Sequence, residues 1–141
     1  MSLNESLLPL AGAICIASSV LEGWFLALIL YVKWEPVKKL FPGVRDLVHS
    51  HVDYAMMGAV LFGIYAVLKV MHVDLHPVVI LALAAGAIYN PFGFLVKAVK
   101  PEMGKADTAI QKIGILLGFI PATYGFLAFC IALVQHLLSS H

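Results

Sequence analysis

The sequence has 141 residues, of which 62% are apolar and 12% are charged, and its formal net charge at pH 7 is +1. Soluble domains are about half apolar and a quarter charged, so this composition excludes an ordinary water-soluble domain. The small net charge gives no reason to expect nucleic-acid binding. The length fits a single integral membrane domain over residues 1–141.

Four apolar segments follow one another along the chain, at residues 7–32, 47–71, 77–96 and 113–138. A helix that spans a bilayer needs roughly 20 apolar residues. The lipid interior offers no hydrogen-bonding groups, and no segment shows the period-two alternation of a membrane barrel strand. We therefore predict an all-α fold, a four-transmembrane-helix up-down bundle with short connections.

Small residues recur on the last segment, where Gly114, Gly118 and Ala122 are spaced four apart. Such a stripe allows two helix backbones to approach closely. The partner helix lies either within the same bundle or in a second copy of the chain, and the sequence leaves this open. We expect the protein to be a homo-oligomer.

The basic residues predict the orientation in the bilayer. Two of the three loops hold eight of the nine lysine and arginine residues, namely Lys33, Lys38, Lys39, Arg45, Lys97, Lys100, Lys105 and Lys112. Loops rich in these residues stay on the cytoplasmic side. Both termini are therefore expected on the non-cytoplasmic side.

A few polar residues fall within the apolar segments. Glu22 lies in the first segment, His49, His51 and Asp53 in the second, and Asn90 in the third. A charged side chain at the centre of a membrane helix costs roughly 2.5–3.5 kcal/mol, so such residues are functional candidates by default. With the predicted orientation, all five lie in the cytoplasmic half of the membrane.

Helical phase places His51 on one face with Tyr54, Ala55 and Gly58. Small residues beside an imidazole leave the space that a porphyrin needs next to its axial ligand. This pattern makes His51 a candidate haem ligand. The alternative is a buried histidine that is hydrogen-bonded to a neighbouring helix.

Two further features accompany this face. Pro91 removes the hydrogen bond to the carbonyl of Ala87, which would leave polar backbone free beside Asn90. Glu22 follows Ser18 and Ser19 by one turn, which makes a polar strip on the first helix. This strip is either a hydrogen-bonded contact between helices or a site that carries protons or anchors a substrate.

Two short stretches resemble a known family. His51-Val52-Asp53-Tyr54-Ala55-Met56-Met57-Gly58 and Asn90-Pro91-Phe92-Gly93-Phe94 are similar to motifs of styrene oxide isomerase and its relative hydroxylaminobenzene mutase. The resemblance covers the second and third helices, about half of the chain.

The resemblance implies a trimer with haem b bound between protomers and a histidine of the second helix as axial ligand. Ferric iron acts in such proteins as a Lewis acid that opens an epoxide to an aldehyde. Carried over to this sequence, His51 binds the haem iron, Ala55 and Gly58 lie beside the macrocycle, and Asn90 is a polar group of the substrate pocket.

The sequence departs from the family pattern at three positions. Phe94 replaces an expected tyrosine, Met57 an expected asparagine and Gly86 an expected acidic residue. We expect Tyr54, Tyr89 or Glu22 to supply the missing polar groups.

These observations predict a haem-b-dependent membrane isomerase that acts on a small hydrophobic substrate. One alternative is a non-catalytic haem or electron-carrier membrane subunit. Another is a proton or metal transporter that uses Glu22, His49 and Asp53. A bundle that binds no ligand is the remaining possibility.

Overall fold

The computed structural model of the chain describes residues 3–104 and 109–139. These residues are helical apart from short connections, and they contain no strand. The helices are α1 (Leu3–Leu30), α2 (Glu35–Leu40), α3 (Val44–Met71), α4 (Pro77–Val99), a 3-10 turn (Pro101–Gly104), α5 (Ala109–Gly114), a π-helical turn (Ile115–Phe119) and α6 (Ile120–Ser139). The prediction of an all-helical chain is confirmed. Lys105 lies outside the described residues.

Four helical segments are long and apolar enough to cross a membrane: Ser6–Leu30, Val44–Met71, Pro77–Val99 and Lys112–Ser139. Large apolar side chains are exposed along them, for example Leu21, Trp24 and Ile131. Apolar residues on all faces of a helix are typical of a membrane span. The prediction of four such segments is confirmed, whereas the short helix α2 and the 3-10 turn were not predicted.

Two apolar clusters form the core of the helical bundle. The first joins α1, α3 and α4 through Leu8, Ala11, Cys15, Tyr54, Leu61, Ile64, Val79, Ile80, Leu83, Ala84 and Ala87. The second joins the other ends of these helices and α2 through Leu26, Ile29, Val37, Phe41, Leu47 and Ala98. Along α1 and α3, the residues between the two clusters include three buried polar side chains, Ser19, Glu22 and Ser50. We call these three residues, together with His51, the polar layer.

Glycine allows α4 and the fourth span to pack backbone to backbone. A Cβ atom on Gly86 would lie 2.5 Å from the Cα of Ala122, and one on Gly118 would lie 2.9 Å from the Cα of Asn90. The stripe predicted from the sequence therefore packs within the chain at Gly118 and Ala122. Gly114 does not share this role, because a Cβ there would have no neighbour within 4 Å among the described residues.

The fourth span changes its winding before Pro121. The π-helical turn Ile115–Phe119 directly precedes α6, in which Pro121 is the second residue. A proline inside a helix lacks the amide hydrogen and crowds the carbonyl four residues earlier, so a wider turn relieves the clash. Thr123 Oγ1 donates a hydrogen bond to the Phe119 carbonyl, four residues earlier, over 2.9 Å.

The close approach at Gly86 predicts that substitution of this glycine by alanine destabilises the fold. Gly86→Ala should lower the free energy of unfolding by about 1–3 kcal/mol, because the added methyl group overlaps the backbone of α6. Gly63→Ala is the matched control, since a Cβ at Gly63 meets nothing within 4 Å in the described part of the chain. Denaturant titration in detergent micelles measures both variants. Equal stability of the two would contradict this packing.

Candidate functional site

His51 and Ser19 join α3 to α1 by a reciprocal pair of hydrogen bonds. The Nδ1 atom of His51 lies 2.8 Å from the carbonyl oxygen of Ser19. The Ser19 hydroxyl donates to the His51 carbonyl over 2.9 Å and lies 3.0 Å from Nδ1. A carbonyl only accepts, so Nδ1 carries a hydrogen. The other ring nitrogen, Nε2, has no hydrogen-bond partner among the described residues.

The His51 ring packs against α1 at Gly23, which has no side chain to hold it away. A Cβ atom on Gly23 would lie 3.1 Å from the Cε1 atom of His51. The ring therefore lies so close to α1 that one added methyl group at Gly23 would press on it. The side chain remains half-buried, so the imidazole lies at the edge of the bundle rather than in its centre.

Glu22 lies deeper in the same layer. Its side chain is 3% exposed, and its Oε1 atom lies 2.8 Å from the hydroxyl oxygen of Ser50. The Ser50 oxygen also lies 3.3 Å from the carbonyl oxygen of Pro91 on α4. Glu22 Oε2 is the buried side-chain oxygen without a hydrogen-bond partner in the described residues.

The backbone around Pro91 receives side-chain donors from the other two helices. The carbonyl of Ala87 accepts from the Cys15 thiol over 3.6 Å, and the carbonyl of Ile88 accepts from the Tyr54 hydroxyl over 3.0 Å. Because Pro91 has no amide hydrogen, the Ala87 carbonyl lacks its usual partner within α4. The thiol supplies a substitute. Tyr54 is buried, and its hydroxyl is engaged with the backbone of α4.

Gly58 faces α1, and the open space expected beside it is filled. A Cβ atom there would lie 2.6 Å from Ile16 and 3.0 Å from the carbonyl of Gly12. Gly58 therefore allows the close approach of α1 and α3. Ala55, which is half-buried, lies on the flank of α3 that turns towards the surface beside His51.

His49 and Asp53 stay apart from the polar layer. The exposed His49 ring meets the ring of Phe94 edge to face, with 5.5 Å between the centroids. No hydrogen bond or ion pair joins His49 to Asp53 within residues 3–104 and 109–139. Nor does this part of the chain hold a group of three or more histidine, cysteine or acidic residues that could bind a metal ion.

Asn90 lies on the other side of α4, in the wall of a cavity of about 360 Å³. The cavity lies between α4 and the fourth span, and its lining includes Gly93, Phe94, Lys97, Ile113, Gly114, Leu117 and Phe119. Its volume falls in the usual range of roughly 300–1,000 Å³ for small-molecule pockets. The Asn90 amide has no hydrogen-bond partner among the residues described, so it is available to a molecule in the cavity.

The predicted site residues thus fall into two groups. His51, Glu22 and Tyr54 lie in or beside the polar layer, and Asn90 lies in the cavity behind α4. The sequence analysis missed Ser50, which links Glu22 to α4. Its spacing contained a signal, because Leu47, Ser50 and Tyr54 recur at helical spacing on the buried face of α3.

Comparison of the chain with protein-family models, with curated proteins and with solved structures finds no match.

The contact between Ser19 and His51 predicts that Ser19 contributes more to the stability of the fold than its neighbour Ser18. Ser19→Ala should lower the free energy of unfolding by about 0.5–1.5 kcal/mol, the usual net value of one hydrogen bond. Ser18→Ala should change it by less than about 0.5 kcal/mol, because the structure gives the half-buried Ser18 no hydrogen bond among the described residues. Denaturant titration of both variants in detergent tests the pair, and a larger loss for Ser18→Ala would refute it.

Proposed function

We propose that this protein is an integral membrane isomerase that binds haem b through His51 and rearranges a small hydrophobic substrate. The observation that carries the proposal is the hydrogen bond from His51 Nδ1 to the Ser19 carbonyl. A histidine that binds a metal commonly donates its other ring hydrogen to a carbonyl or carboxylate, which fixes the tautomer. In the neutral ring, that bond leaves the lone pair on Nε2, where an iron ligand needs it.

The surroundings of His51 fit a flat macrocycle at the surface of the bundle. Next to the half-buried ring, α3 carries Ala55 and the exposed Ala59 on its surface flank. Because these side chains are single methyl groups, they leave room for a flat molecule to lie against α3 beside the imidazole. Since the space at Gly58 is filled by Ile16, this outer face is where a porphyrin fits. A single imidazole per chain would suffice to hold the haem iron.

A second protomer would complete the site. His51 lies where α1 meets α3, whereas Asn90 lies in the cavity between α4 and the fourth span. Contacts between unlike faces of identical chains generate a closed ring when the rotation from one protomer to the next closes. In such a ring, the cavity of one protomer would face the His51 surface of the next. We therefore propose a homo-oligomer, and the resemblance to styrene oxide isomerase favours a trimer.

The residues have separate tasks in this proposal. Bound ferric haem would supply a Lewis acid, which polarises an oxygen atom of the substrate. Ser19 holds the imidazole in one tautomer and one orientation. The Asn90 amide offers a hydrogen bond to a polar atom of the substrate, and the apolar walls that include Phe94, Leu117 and Phe119 exclude water. Tyr54 and Glu22 do not contact the haem in this proposal. They hold α3 and α1 to α4, Tyr54 through the Ile88 carbonyl and Glu22 through Ser50 and the Pro91 carbonyl.

The orientation in the bilayer belongs to the same proposal. We place the chain as a single up-down bundle with both termini on the non-cytoplasmic side. The basic residues of two loops support this orientation through the positive-inside rule.

The proposal predicts that protein purified with added haem shows a Soret absorption band. His51→Ala should lose at least about nine-tenths of the bound haem, because the axial ligand is removed. His49→Ala should keep it, since His49 is exposed and packs against Phe94 instead. Far-ultraviolet circular dichroism checks that both variants remain helical. A colourless wild-type protein, or equal haem in the two variants, would rule out His51 as the ligand.

An activity measurement separates the isomerase from a non-catalytic haem subunit. The haem-loaded wild type should convert an aryl epoxide to the aldehyde, and Asn90→Ala should bind haem normally but convert the epoxide at least about tenfold more slowly. A low-spin spectrum that small ligands do not change, together with no conversion, would instead favour an electron carrier.

A further inference from the structure

The carboxyl group of Glu22 is a buried acid that haem binding does not use. Its side chain is 3% exposed, and its contact is with a serine hydroxyl rather than with a lysine or arginine side chain. We propose that Glu22 is a proton-binding site within the bundle, held as a neutral carboxylic acid by Ser50 and the backbone of α4.

Burial argues against a permanent negative charge at this position. An ionised carboxylate in an apolar interior is strongly disfavoured unless a cation or several donors compensate it, and it otherwise takes up a proton. Glu22 Oε1 has one hydroxyl neighbour, and Oε2 has no partner among the described residues. One hydroxyl does not replace the hydration of a carboxylate. The neutral acid is therefore the favoured state.

The position of Ser50 fits the neutral acid. Its oxygen lies 2.8 Å from Glu22 Oε1 and 3.3 Å from the Pro91 carbonyl. A hydroxyl accepts one hydrogen and donates another. When Glu22 is protonated at Oε1, it donates to Ser50, and Ser50 donates to Pro91, so both contacts are hydrogen bonds. When Glu22 is ionised, the single hydrogen of Ser50 serves only one of the two acceptors.

The remaining titratable groups near this site form no ion pair with Glu22 among the described residues. On α3, Tyr54 donates its hydroxyl hydrogen to Ile88, and His51 is held through Nδ1 by Ser19. On α1, the Cys15 thiol donates to Ala87. At this level α4 contributes backbone carbonyls. The free Oε2 is then a carbonyl oxygen that can accept from a water molecule or an incoming donor.

Infrared spectroscopy of the protein in lipid tests the proposal directly. At neutral pH the wild type should show the carbonyl stretch of a protonated carboxylic acid, and Glu22→Gln should lose it. Ser50→Ala should keep the band at a higher frequency, since the hydrogen bond to Ser50 is gone. Asp53→Asn is the control, because Asp53 is a half-buried acid of α3, and its band should match the wild type. Absence of the band in the wild type, or its survival in Glu22→Gln, would overturn the proposal.

The same preparations distinguish a proton from a metal cation. A neutral acid predicts that the melting temperature of the wild type is independent of sodium and potassium, and that Glu22→Gln melts at the same temperature as the wild type. A melting temperature that rises with either ion in the wild type and not in Glu22→Gln would show a cation site instead. The band should persist in His51→Ala without haem, so this test does not depend on the proposed isomerase.

Discussion

The paired contact between Ser19 of α1 and His51 of α3 satisfies polar groups at a level where lipid would offer no hydrogen-bonding partners. It fixes the rotation of α3 against α1, and this rotation places Ser50 over Glu22 and brings Gly58 against α1. The contact also decides which ring nitrogen of His51 is free. Packing and the proposed chemistry therefore depend on the same two residues.

The helices were predictable because lipid imposes a simple constraint on sequence. Long apolar segments must satisfy their own backbone groups, and the four predicted segments appear as helices with ends close to those expected. The π-helical turn was not predictable in the same way. Only Pro121 signals it, and whether a proline causes a kink, a π turn or neither depends on the packing of neighbouring helices.

The polar residues of the candidate site could be identified one by one from the sequence. Which of them lie together in space could not. Helical phase identified the polar strip on the first helix, and Ser19 and Glu22 of this strip are both buried in the polar layer. Phase within one helix gives no information about which helix lies opposite. The space at Gly58 was therefore expected to be open, but Ile16 fills it. Asn90 was expected near His51, but it lines the cavity between α4 and the fourth span.

The tautomer of His51 is the property that most directly tests this account. Nitrogen-15 NMR of histidine-labelled, haem-free protein in bilayers measures it, with His51→Ala providing the assignment. The neutral ring should carry its hydrogen on Nδ1 and its lone pair on Nε2. A hydrogen on Nε2, or a ring that exchanges freely between both tautomers, would contradict it.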